Sequence, residues 1–101
     1  MQRVDEGTIR LQVTGACDIP ATASAVAITV VATATTQEGF VAAYPSSAAR
    51  PLASVLNYSA GDTRANGTIL ALSPAGQIDL HTSTVAALVI DTTGYFSPTP
   101  D

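Results

Sequence analysis

The chain has no lysine and no tryptophan, one cysteine, one histidine, five aromatic residues and only 12% charged residues. Each shortage excludes something. Without lysine no Schiff base can form, and no Lys–Asn isopeptide cross-link of the kind some surface adhesins carry. The four basic residues are all arginine (Arg3, Arg10, Arg50, Arg64), scattered among eight acidic ones for a net charge of −4. No basic stripe is available to phosphates, so no nucleic-acid partner is expected. Cys17 stands alone, which excludes a disulfide within the 101 residues and any Cys-rich metal site. Met1 is followed at once by Gln2, Arg3, Val4, Asp5 and Glu6, with no apolar run that would make a signal peptide. That leaves a cytoplasmic protein or a mature fragment behind a start codon; low charge with abundant Thr, Ser and Ala favours the second, so an extracellular or cell-surface location is expected.

What is present is small and β-branched. The apolar fraction is 47%, made of 18 Ala and 22 Val, Ile or Leu beside the few aromatics, with 14 Thr in addition. That mixture suits thin pleated packing better than a bulky helical core. The length fits one domain, residues 1–96, with SPTPD (97–101) as a linker stub. Ile19 to Gln37 runs nineteen residues without a charge, long enough to span a bilayer. It contains Pro20 and is mostly Ala, Thr and Ser, whereas a spanning helix is rich in Leu, Ile and Phe. No membrane span is expected.

Alternation marks the strands. Ala25–Thr35 is uncharged, with Val26, Ile28 and Val30 at period two; Gln37, Glu38 and Gly39 form a polar break, and Phe40–Tyr44 resumes up to Pro45. This reads as a β-hairpin and the core pair of a sheet, with Ala25, Ala27 and Thr29 as its small-residue face. Before it, Thr8–Thr14 alternates Ile9, Leu11 and Val13 against Arg10 and Gln12, and Gly15, Asp18 and Pro20 then turn the chain. After it, Leu52–Tyr58 reads as extended, AGDTR (60–64) as a turn and Thr68–Leu72 as a strand. Ser73-Pro74-Ala75-Gly76 suits a type I turn, and Gln77–Thr82 and Val85–Asp91 follow as strands. No window sustains a helical period. About seven strands at 8–12-residue spacing predict an all-β fold, an antiparallel β-sandwich of Ig-like or jelly-roll-like type.

Little in the sequence carries chemistry. Asp79, His81 and Ser83 share one face of a strand, opposite Ile78 and Leu80. Adjacent same-face positions lie about 6.7 Å apart, too far for a serine–histidine contact, so the trio reads as a solvated face. Asp18, Asp62, Asp79 and Asp91 never adopt the spacing of a calcium loop. Asp91 interrupts an apolar strand and reads as an acceptor of backbone N–H bonds at a strand end. Asn57-Tyr58-Ser59 and Asn66-Gly67-Thr68 match the glycosylation sequon, yet Asn57 ends a strand and Asn66-Gly67 is a turn dipeptide, so both read as structural. The aromatics sit in or beside apolar strands, where core packing is their default role. Tyr44, Tyr58 and Tyr95 are nevertheless the candidates for a sugar-binding groove. No cofactor, metal or catalytic residue is expected.

The order VTGACDIPATASAVAITV, then EGFVAAYPSSAARPLASVLNYSAGDTRAN, then AGQIDL, then ALVIDTTGYF resembles a β-rich domain of secreted bacterial proteins, found in actinobacteria, acidobacteria and myxobacteria beside exported enzymes. Its pattern runs VxGxxGVPxxAxAVxLNVT, GFxTxYPxGxxxPxxSxLNxxxGxTxxN and a closing DVxGYF. The resemblance covers Gln12 to Phe96. It implies a non-catalytic accessory module, with Gly15, Pro20, Gly39, Tyr44, Pro45, Pro51, Ser54, Asn57, Gly61, Thr63, Asn66, Gly94, Tyr95 and Phe96 as turn and core determinants. The family opens with an Arg-x-x-Asp-Thr-Arg strand, often with a Cys able to pair with the position of Cys17. Here Arg3-Val4-Asp5 is a shortened remnant and Gln2 stands where that Cys would be, so the first strand is expected to be short or missing. A sandwich short of a strand exposes an edge that a neighbouring chain can pair with. The functional expectation is a non-enzymatic extracellular module serving as a structural or interaction unit. Its partners would be other domains, copies of the same chain or cell-wall polysaccharide. The alternatives are a self-assembling filament or surface-layer subunit and a cell-wall carbohydrate binder.

Overall fold

The computed structural model describes residues 1–16 and 18–98. Expectations about Cys17 and about 99–101 of the tail lie outside the described residues. Those residues form eight strands: β1 (Gln2–Asp5), β2 (Thr8–Gln12), β3 (Ala25–Thr33), β4 (Gly39–Pro45), β5 (Leu56–Tyr58), β6 (Arg64–Ala71), β7 (Gln77–Thr82) and β8 (Ala87–Phe96). They build two antiparallel sheets, one of five strands in the order β1-β2-β7-β4-β5 and one of three in the order β6-β3-β8. The expected all-β sandwich is what forms, and its first strand is short.

The alternation read in β3 holds. Val26, Ile28, Val30 and Ala32 are fully buried, while Ala25, Ala27, Thr29 and Val31 on the other face are half-buried. Facing them from the larger sheet are Val41 and Ala43 of β4, Leu56 and Tyr58 of β5, and Ile78 and Leu80 of β7. Val13, Ile19 and Ala23 join the same core from the β2–β3 connection. Each enclosed Val, Ile or Leu side chain contributes about 1.5–3 kcal/mol relative to exposure.

The hairpin expected over Ala25–Tyr44 does not form. β3 pairs with β6 and β8, whereas β4 pairs with β5 and β7 in the other sheet. The connection crosses between layers about 10 Å apart. Ala34 turns it out of the sheet at φ 54°. Thr35 then pins it, its buried hydroxyl donating to Ser59 O at 3.0 Å and Asp62 O at 2.9 Å, and its carbonyl accepting from the Gly61 amide at 2.9 Å. Gly61 sits at φ 79°, a conformation that favours glycine.

Other boundaries shift for similar reasons. The strand expected over Leu52–Tyr58 shrinks to Leu56–Tyr58, with Leu52 fully exposed. Asn66-Gly67 is no turn: it lies inside β6, paired across to Val30 and Thr29 of β3. Gly94, Tyr95 and Phe96 extend β8, which carries a bulge where Thr93 falls out of register opposite Ala27 and Ile28. Tyr95 and Phe96 stay half-exposed rather than joining the core. The turn at Ser73–Gly76 closes as expected, with the Gly76 amide on Ser73 O at 2.8 Å.

Candidate functional site

Two features of the sandwich bear on function. The first is the outer face of the five-stranded sheet. Antiparallel register sets Thr8, His81 and Ala42 in one row and Arg10, Asp79 and Tyr44 in the next. Arg10 donates from Nε to Asp79 Oδ1 at 2.8 Å and from Nη2 to Oδ2 at 3.1 Å, a bidentate pair. Asp79 is therefore buried, not the solvated residue expected from its strand position. Tyr44, in the same row, is also buried. Burial pushes its phenol up, and the Asp79 charge adds to the shift. The bond to Asp79 raises the Arg10 pKa, with desolvation opposing it.

His81 meets Thr8 Oγ1 through Nδ1 at 2.8 Å. Arg50 Nη1 lies 3.0 Å from Nδ1 and 2.9 Å from Nε2 of the same ring. An atom equidistant from both nitrogens and in the ring plane would collide with the carbon between them. Arg50 Nη1 therefore sits over the imidazole face, a contact arginine makes readily. Burial lowers the His81 pKa and the Arg50 charge lowers it further, with Asp5 opposing.

The Asp79, His81 and Ser83 side chains are thus engaged separately. Asp79 holds Arg10, His81 holds Thr8, and Ser83 Oγ accepts the Phe40 amide at 2.9 Å. No triad is assembled from them. Arg10, Thr8 and Arg50 were not singled out by the sequence. Only the alternation of Arg10 against Ile9 and Leu11 hinted that it faces away from the core.

The second feature is the open side of the sandwich. Three strands cover five, which leaves the smaller sheet about 10 Å too narrow. The β5–β6 side is closed: Asn66 Nδ2 of β6 donates to Val55 O, next to β5, at 2.6 Å. On the other side, among the described residues, no hydrogen bond joins β8 to β1 or β2. A groove of about 660 Å³ opens there between Ile9 and Leu80 of the larger sheet and Leu88 of β8, with Met1, Arg3 and Val85 on its rim. Ile9, Leu11, Leu88 and Ile90 pack on the core yet stay only partly buried. β8, which reaches this groove at Leu88, is ten residues long without lysine or proline, with Val89 50% exposed. Natural edges are normally blunted by lysine, proline, other charges or bulges, or kept short, and β8 has only Asp91 and the bulge at Thr93. β1 and β5, the edges of the larger sheet, are only four and three residues long.

The candidate tyrosines do not form one platform. Tyr44 lies on the outer face of the larger sheet, Tyr58 points into the core, and Tyr95 stands at the end of β8. Tyr58 also borders a polar cleft of about 510 Å³ with Glu38, Asn57 and Arg64. Its hydroxyl is already used, donating to Thr84 O at 2.8 Å. Asp91 is exposed, and Asp62 pairs with Arg64 at 3.0 Å. Among the described residues no three His, Cys, Asp or Glu side chains converge as metal ligands.

No protein-family model matches the chain, and no curated protein matches it. No helix among the described residues is long and apolar enough to cross a membrane.

Proposed function

We propose that this chain is a non-catalytic β-sandwich module of a secreted or cell-surface bacterial protein, serving as a structural or interaction unit. The observation that carries the reading is the open side of the sandwich, where the unpaired edge strand β8 meets a groove at Leu88, across from Ile9 and Leu80. An extended segment that adds to β8 would complete the smaller sheet and cover Leu88 and Ile9. The resemblance to accessory domains of exported bacterial proteins supports the same reading. So does the engagement of Asp79, His81 and Ser83 in separate structural bonds. The test is a panel of hydrolase substrates offered to the purified chain. No turnover that depends on His81 is expected, and a hydrolase activity lost in His81→Ala overturns the proposal.

A second reading, self-assembly by strand complementation between copies, draws on the same β8 edge, where Asp91 is the one charged residue. Light scattering with electron microscopy separates the two. Filaments or layers support assembly, and a monodisperse monomer at high concentration rules it out.

A further inference from the structure

Asn66-Gly67 was expected in a turn and instead lies in an edge strand, with an unusual set of bonds. The Gly67 N–H points at the side-chain carbonyl of its own neighbour, Asn66 Oδ1, at 3.0 Å, and not into the ladder with β3. The Asn66 amide nitrogen is held on Val55 O at 2.6 Å. Together these fix the amide plane and hold the Asn66 side chain against the Gly67 nitrogen, one residue along the chain. No β-carbon on residue 67 hinders an approach between them. Arg64, Ala65, Asn66 and Gly67 are all exposed.

We propose that Asn66 and Gly67 form a self-modification site, at which the chain converts Asn66 to aspartate and isoaspartate without an enzyme. The Gly67 nitrogen gives up its proton and bonds to Asn66 Cγ. The Cγ–Nδ2 bond breaks, and the amide leaves as ammonia carrying the proton. Water then opens the five-membered imide at either carbonyl, leaving a carboxylate. No oxidant, reductant or cofactor enters. Ring closure requires Asn66 to rotate out of the extended backbone. A strand inside a sheet resists that rotation, but β6 is an edge paired only with β3, and its first half is the exposed half. Local fraying of such a segment is cheap compared with global unfolding. The product has a structural consequence. A carboxylate cannot donate to Val55 O, so the bond that fastens β6 to the larger sheet is lost. The isoaspartate form also inserts an extra backbone atom into β6.

The test is peptide mass analysis of the full chain during prolonged incubation in mildly alkaline buffer, folded and in denaturant. Asn57, followed by Tyr58, serves as the internal control. A gain of one dalton at residue 66 is expected in the folded protein at a rate within about tenfold of the unfolded chain, with Asn57 unchanged. Gly67→Ala should suppress it. That variant is expected to fold, since a β-carbon there meets nothing closer than Ile28 O at 3.7 Å. Conversion more than tenfold slower in the folded chain, or conversion of Asn57 at the same rate, overturns the proposal.

Discussion

Tyr58→Phe separates a structural tyrosine from a ligand-binding one. The ring is 4% exposed and belongs to the core. Its hydroxyl donates to Thr84 O at 2.8 Å and lies 2.9 Å from Thr84 Oγ1, tying β5 to the chain segment that leads into β8. Phenylalanine keeps the ring and removes only that tie. A net hydrogen bond contributes about 0.5–1.5 kcal/mol, and an acceptor left unsatisfied costs about 1–3 kcal/mol. Thr84 is half-buried, so water can reach part of the vacated site and the lower half of that range applies. The expected loss is about 1–2 kcal/mol, a Tm lower by roughly 4–16 °C for a domain of this size. Thermal and urea unfolding followed by circular dichroism measure it, with an unchanged urea slope as the check that only stability has moved. A Tyr58→Phe protein as stable as wild type that has lost retention on peptidoglycan or chitin would refute the reasoning and make Tyr58 a ligand group.

Further outcomes follow from the same geometry. Leu80→Ala opens a cavity in the fully buried centre and should cost about 2–5 kcal/mol in urea unfolding. Asp79→Asn should lower Tm clearly and Asp91→Asn hardly at all, because Asp79 is buried on Arg10 while Asp91 is exposed; equal effects would contradict the pairing. The folded pKa of His81 lies below its ordinary 6.5, so the unfolded chain binds the proton more readily. Stability from this group is complete above that value and declines as pH falls from about 6.5 toward the lower folded pKa. Urea midpoints across that window should fall with pH in wild type and fall less in His81→Gln.

Much of the fold was legible where the signal is local. Val26, Ile28 and Val30 are β-branched at period two, and that pattern alone places one face of β3 in the core. Ser73-Pro74-Ala75-Gly76 carries its turn chemistry within four residues. What could not be read depends on distant partners. The crossing between β3 and β4 resembles a hairpin loop in sequence. Only Thr35, bonded to Ser59 and Asp62 more than twenty residues on, shows why it changes sheets. Asp79 looked solvated because its partner Arg10 is 69 residues away. Asn66-Gly67 has a turn composition, but pairing along the whole of β3 outweighs that local preference. The exposed edge was expected from a shortened N-terminal strand, but β1 forms and pairs with β2 in the larger sheet, and the open side belongs to β8 of the smaller one. Its location beside β8 follows only from the unequal sheets.

The most direct measurement of the central claim is amide hydrogen exchange along β8, recorded in dilute protein and again with a partner bound, a second copy at high concentration included. β8 amides directed away from β3 are expected to exchange readily in the dilute protein, while those of β3, paired on both sides, are slowest. On binding, the β8 amides should gain protection first. Protection gained instead around Arg50 and His81 on the outer face of the larger sheet, with β8 unchanged, would contradict it.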